Sequence, residues 1–97
     1  MPTYISLLRL TGQGAKAIKD SPRRRDAAAK AIESLGGKLV HTYLTMGRYD
    51  FVAIIEAPDD EAAARFALIT GSQGSVSTET LRAFSEGEFE RLLKSLP

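Results

Sequence analysis

Gly47-Arg48-Tyr49-Asp50-Phe51-Val52-Ala53-Ile54-Ile55-Glu56-Ala57 is the stretch on which the fold turns. Gly47 tolerates positive φ in a tight turn. Asp50 to Ala57 then reads as a strand, rich in branched and aromatic side chains. Side chains alternate along a strand, so Phe51, Ala53, Ile55 and Ala57 point one way and Val52 and Ile54 the other. Both sets are apolar. Such a strand belongs inside a sheet and needs cover on both sides.

Upstream, Lys38 to Met46 reads as a second strand, joined to the first stretch as a hairpin. Gly36-Gly37 stops a helix that begins at Ser21-Pro22, where serine can accept from free amides and proline loses nothing. Its apolar face is Ala28, Ala31, Ile32 and Leu35 at 3.6-residue spacing. Thr3 to Leu10 is a strand, followed by a turn at Thr11-Gly12-Gln13-Gly14 and a short helical piece with Ala15, Ala17 and Ile18. Downstream, Pro58-Asp59-Asp60-Glu61 opens a helix with acidic groups at its positive end. Ala62, Phe66 and Ile69 form its stripe, and Gly71 and Gly74 end it. Ser75 to Phe84 is a last strand with Val76, Thr78 and Thr80 on one side. Glu86 to Leu96 is a last helix, with Phe89, Leu92, Leu93 and Leu96 on one face.

This order is β-α-β-β-α-β with a C-terminal helix: an α+β fold with a four-stranded antiparallel sheet, read as one domain over residues 1–97. Crossover rules put the first and third strands at the centre and the second and fourth at the edges. The two main helices cover one face only. The first strand is apolar on both faces too, with Ile5 and Leu7 opposite Tyr4, Leu8 and Leu10, so something must cover the second face; leaving several such side chains wet forgoes roughly 1.5–3 kcal/mol each. The last helix is one candidate cover. The favoured one is a second copy packing sheet to sheet, with the helix swapping across or buttressing the rim. The expected state is a homodimer or higher homo-oligomer.

Composition narrows the rest. With 97 residues the chain is marginal as a lone core. It has no cysteine, which removes disulfides, thiolate zinc sites and cysteine nucleophiles, and fits a reducing cytoplasm. No signal peptide is visible at Met1-Pro2-Thr3-Tyr4, and no apolar run is long enough for a membrane. Thirteen basic and twelve acidic residues leave a net charge of +1, which gives no bulk attraction to nucleic acid or anionic membrane.

At Gly47-Arg48-Tyr49-Asp50-Phe51-Val52 the chain resembles the GYD domain family, here with an arginine between the glycine and the tyrosine. The likeness extends through Gln13-Gly14, Ser21-Pro22-Arg23, Gly36-Gly37 and Glu56-Ala57-Pro58-Asp59-Asp60, to about Phe84. It implies a ferredoxin-like fold of the dimeric α/β-barrel group. That group spans monooxygenases, haem-handling proteins and regulator effector domains, so the resemblance carries no particular activity.

Five residues stand out as candidate ligand-binding groups. Arg48, Tyr49 and Asp50 follow Gly47 in the turn: arginine and tyrosine at a pocket mouth suit an anion or polar ligand, while Asp50 suits amide hydrogen bonds that hold the hairpin register. His41, the only histidine, falls by alternation on one face with Leu39, Tyr43 and Thr45, where His41 and Tyr43 can orient a ligand or move a proton. A lone histidine without cysteine makes no protein-only zinc site, and no cofactor is expected. Arg23-Arg24-Arg25 sits at the positive end of a helix dipole, a local conflict that an anion would relieve, although a solvated basic turn is the default. Thr11 to Gly14 lacks the dinucleotide and P-loop patterns.

The leading expectation is a self-associating barrel that holds a small molecule in the cleft between sheet and helices. A cofactor-independent barrel enzyme acting on an aromatic or polyketide-like substrate, and a structural assembly module, stand as alternatives. These residues decide neither for nor against catalysis.

Overall fold

The expected elements appear in order in the computed structural model, which describes residues 1–97. They are β1 (Thr3–Leu10), α1 (Gly12–Lys16), a 3-10 turn (Ile18–Asp20), α2 (Ser21–Ser34), β2 (Lys38–Leu44), β3 (Phe51–Glu56), α3 (Asp60–Ser72), β4 (Val76–Ala83) and α4 (Glu86–Lys94). The sheet order is β2-β3-β1-β4, with every pair antiparallel. The two most apolar strands are therefore central. The sheet is open, with β2 and β4 as edges, so one chain by itself makes no closed barrel.

The register corrects one expectation. Leu39 pairs with Ile55, but His41 pairs with Ile54, and an irregularity separates them. The extra residue, Val40, is a β-bulge that reverses the alternation. Leu39 thus faces the helices while His41 and Tyr43 face the opposite, open side. A one-residue slip is enough to exchange the two faces.

The hairpin is tied down locally and to its neighbour. Gly47 has φ of 108°, the Thr45 amide donates to the Asp50 carbonyl at 2.9 Å, and the Thr45 hydroxyl donates to the Tyr49 carbonyl at 2.7 Å. These bonds end β2 at Leu44, two residues short of the expected Met46.

Helix starts follow capping chemistry in three cases, the Thr11 hydroxyl accepting from the Gly14 amide at α1 among them, and depart from it at α2. The Asp59 side chain accepts from the Ala62 amide to cap α3. Ser85 and Glu88 form a reciprocal capping box on α4, and the hydrogen bond from the Ser85 backbone amide holds the Glu88 carboxyl below its usual range. Ser21 does not cap α2. It lies inside the helix, where its hydroxyl donates to the Ile18 carbonyl, and the residue before it, Asp20, makes no side-chain cap either.

The core occupies one end of the layer between sheet and helices. Tyr4, Ile55 and Ala57 from the sheet side meet Ile32 of α2 and Ala62, Ala63 and Phe66 of α3. The Tyr4 hydroxyl donates to the Asp60 carboxylate at the start of α3. Burial, then that hydrogen bond, then the Asp60 charge push the Tyr4 phenol up to about 12. An unfolded tyrosine ionises near 10. The unfolded chain therefore releases this proton first, so the tyrosine's contribution is complete below pH ~10 and is lost as pH rises towards ~12. Urea unfolding of the native chain and of Tyr4→Phe across that window should show a stability gap that narrows with pH. A constant gap would remove Tyr4 as the cause.

Candidate functional site

The other end of the same layer is hollow. Strands β1 and β3 supply Leu8, Leu10 and Phe51 as its floor, and α2 and α3 stand above it. The cause is visible in α2. Its first seven residues are Ser21-Pro22-Arg23-Arg24-Arg25-Asp26-Ala27, and the next inward positions are Ala28 and Ala31. No large apolar side chain leaves this helix before Ile32, so its N-terminal half cannot fill the space that Ile32 fills further on. A cavity of about 450 Å³ remains, within the size range of small-molecule sites.

Its lining is mainly apolar, with polar groups at fixed places. Ser6 and Ala53 are small residues on the sheet side, and Phe66 closes one wall. Arg24, Arg25 and Gln73 line it from the ends of the two helices. Arg24 is held in place: its guanidinium donates to the Ala17 carbonyl at 3.0 Å and to the Ser21 hydroxyl at 3.1 Å. Arg25 pairs with Asp26 at 3.3 Å in an exposed, weak contact, and Arg23 turns away to Asp20.

The residues singled out in the sequence lie elsewhere. His41 and Tyr43 stand side by side on the open face, ring centres 5.9 Å apart, and neither lines the cleft. Arg48 and Tyr49 border a shallow depression of about 220 Å³ shared with Leu7, Arg9, Ser77 and Glu79. There the Arg9 guanidinium lies 5.5 Å from the Tyr49 ring centre and donates to the Arg48 carbonyl, while the Tyr49 hydroxyl donates to Glu79 at 3.1 Å. The turn thus reaches across β1 to β4. Asp50 holds it to β1: its carboxylate accepts from the Leu10 amide at 2.8 Å, and its own amide donates to the Leu8 carbonyl at 2.8 Å. The structure brings Arg48 and Tyr49 together, keeps His41 with Tyr43, and separates both pairs from the cavity. Ser6, Leu8 and Phe51 were read only as strand residues. The signal that could have found the cavity is the absence of bulk between Pro22 and Ala31.

The open face and α4 share a second feature. Ile5, Leu7, Val52 and Ile54 are only half-buried, and Tyr43 and Leu81 beside them are exposed. No residue of α4 is buried; Phe89 is 56% exposed and Leu92 48%. The last helix therefore does not cap the sheet of its own chain. No group of three or more histidine, cysteine, aspartate or glutamate side chains is arranged to hold a metal ion, and no helix is long and apolar enough to cross a membrane.

A split β-α-β layer with a half-empty interior and an uncovered apolar back defines a small α+β domain built on an open four-stranded antiparallel sheet. The chain belongs to the GYD domain family, which it matches over residues 4–93. It is 38% identical over 95 residues to the glutamine synthetase and cystathionine beta-lyase binding protein of Thermus thermophilus, an alignment spanning 97% of this chain and all of that one. Its fold is similar to the crystal structure of TTHA0845, also from Thermus thermophilus, with a TM-score of 0.57 at 30% identity, covering 88% of this chain and 95% of that one. A hypothetical protein of Pyrococcus horikoshii, PHS023, shares the fold at a TM-score of 0.55 and 16% identity, over 89% of this chain and 93% of that one.

Proposed function

We propose that this chain is a self-associating binding module of the cytoplasm, which packs open face to open face into a dimeric α/β barrel, engages a partner enzyme and holds a small molecule in the sheet–helix cleft. The observation that carries the reading is surface. The single chain exposes 6619 Å². A compact monomer of its mass would expose about 5,400 Å². The excess, about 1,200 Å², exceeds the roughly 800 Å² that each partner buries in a standard interface. Shape agrees: the radius of gyration is 14.5 Å, where a compact chain of this length has about 12.5 Å.

In this reading the aliphatic strip of Ile5, Leu7, Val52 and Ile54 meets its copy. His41 and Tyr43 then lie inside the contact and select its register, and Arg48, Tyr49 and Asp50 frame the rim. Helix α4 lays Phe89, Leu92 and Leu93 on the neighbouring copy, with Leu96 just past its end. The enzyme partner is supported by the name of the Thermus thermophilus relative, which is that of a protein binding two enzymes. The cytoplasm is supported by the absence of cysteine.

Native mass and sedimentation measurements across micromolar concentrations test the first claim. A dimer or higher assembly is expected throughout, and Leu92→Glu with Ile54→Glu should shift it to monomer by at least about tenfold in dissociation constant. A wild-type monomer at those concentrations would overturn self-association. Co-elution with glutamine synthetase from the same host tests the partner, and separate elution at tens of micromolar would count against it.

A further inference from the structure

We propose that the sheet–helix cavity binds an amphipathic carboxylate, with its apolar body over Leu8 and Phe51 and its head group at Arg24 and Arg25. This rests on the small-molecule half of the reading above and adds the chemistry of the occupant.

Three observations converge on that class. The first is the space itself: about 450 Å³ with mostly apolar walls, which favours hydrocarbon or aryl surface over sugar or nucleotide. The second is the charge. Among all the residues that line the cavity, the ionisable ones are Arg24 and Arg25, and none is acidic. Two cations in the N-terminal turns of α2 are unfavourable against the helix dipole and against each other, and an anion at that place relieves both terms. Arg24 is already positioned by Ala17 and Ser21, so little side-chain freedom is lost when it meets a ligand. The planar guanidinium fork suits a carboxylate better than a spherical ion.

The third observation is Ser6. It is 5% exposed, it lies on the cavity floor, and no hydrogen bond within the chain uses its hydroxyl. Its hydroxyl oxygen is not sealed off, since no buried side-chain oxygen or nitrogen of the chain is left without a partner. Here what remains of its exposure opens onto the cavity, where it can bond a polar atom on the ligand body or a water that travels with it. A simple packing defect would have an apolar floor; this cavity has a polar group on its floor and cations at its edge.

Titration calorimetry with decanoate, decanol and decyltrimethylammonium separates the terms. Decanoate should bind most tightly, with decanol about tenfold to a hundredfold weaker, as expected for the loss of a charge-assisted hydrogen bond, and the cationic amphiphile weakest. Arg25→Gln should weaken decanoate by about tenfold and leave decanol unchanged. Arg24→Gln should do the same or more; since Arg24 also holds the Ala17 carbonyl, Arg25→Gln is the cleaner variant. Ala53→Leu should fill the cavity and abolish binding of decanoate and decanol alike, with the thermal midpoint kept or raised. Equal binding of decanoate and decanol, or no binding of either, overturns the proposal. If Ala53→Leu instead dissociates the oligomer, the cavity is occupied by a neighbouring copy and the proposal also falls. Native mass on the same samples keeps the two readings apart. An intact oligomer without binding sinks only the ligand, and a monomer that binds decanoate sinks only self-association.

Discussion

Gly14→Ala is expected to lower the unfolding free energy by about 3 kcal/mol, while Gly12→Ala, two residues away in the same short helix, leaves it unchanged or slightly raised. An added Cβ at Gly14 would stand 2.0 Å from the Ser75 carbonyl oxygen and 3.1 Å from a Leu10 methyl; at Gly12 it would meet nothing within 4 Å. The Ser75 carbonyl cannot retreat cheaply. It accepts the Thr11 amide at 3.0 Å, and the Thr11 hydroxyl donates to the Gly74 carbonyl at 2.6 Å while accepting from Gly14 itself. These bonds dock α1 against the start of β4. Relieving the overlap means giving up at least one of them. Urea unfolding of the two variants checks this, and equal midpoints would mean that α1 is not docked in solution.

Ile32→Ala is expected to cost about 2–5 kcal/mol, a large share of the stability of a domain this small. Ile32 is fully buried at the centre of the filled end of the layer, against Gly37 and the β3 core residues. Removing it would extend the hollow already present under the N-terminal half of α2. The lost side chain and the enlarged void then add. Leu68→Ala on α3 is the matched control: Leu68 is 73% exposed, and its loss should stay within about 0.5 kcal/mol. Thermal melts at one fixed protein concentration measure both, because self-association stabilises by mass action. A midpoint for Ile32→Ala equal to that of Leu68→Ala would displace Ile32 from the core.

Much of the fold was legible because its signals are local. The 3.6-residue spacing of Ala28, Ala31, Ile32 and Leu35 and the two-residue alternation of Phe51 to Ala57 each belong to one element, and both recur in the structure. Asp59 was legible as the start of α3 by the same kind of rule. Ser21 was misread as a cap because its hydroxyl answers to the 3-10 turn before it, a feature that composition does not mark. Gly12 and Gly14 were read as a turn yet lie inside α1, because Gly14 serves close approach to Ser75 rather than a left-handed bend.

The site was harder. Asp50 was expected to hold the register within the hairpin, but its carboxylate is spent on the Leu10 amide of the neighbouring strand. His41 and Tyr43 were placed in one group with Leu39 and associated with the cleft. The bulge at Val40 sends Leu39 to the helix side and the pair to the open side. The three arginines looked alike in sequence. Packing divides them, with Arg23 given to Asp20 and Arg24 and Arg25 at the cavity.

Sequence alone determined the order of the elements, the central place of β1 and β3, and the presence of two apolar sheet faces with helices for only one, since each follows from periodicity and connection rules acting over a few residues. Tertiary structure decided that α4 leaves the sheet uncovered, which face His41 occupies, and that half of the helix–sheet layer stays hollow. Those outcomes depend on a single inserted strand residue and on the summed volume of side chains from four elements, quantities that exist only once the elements are stacked.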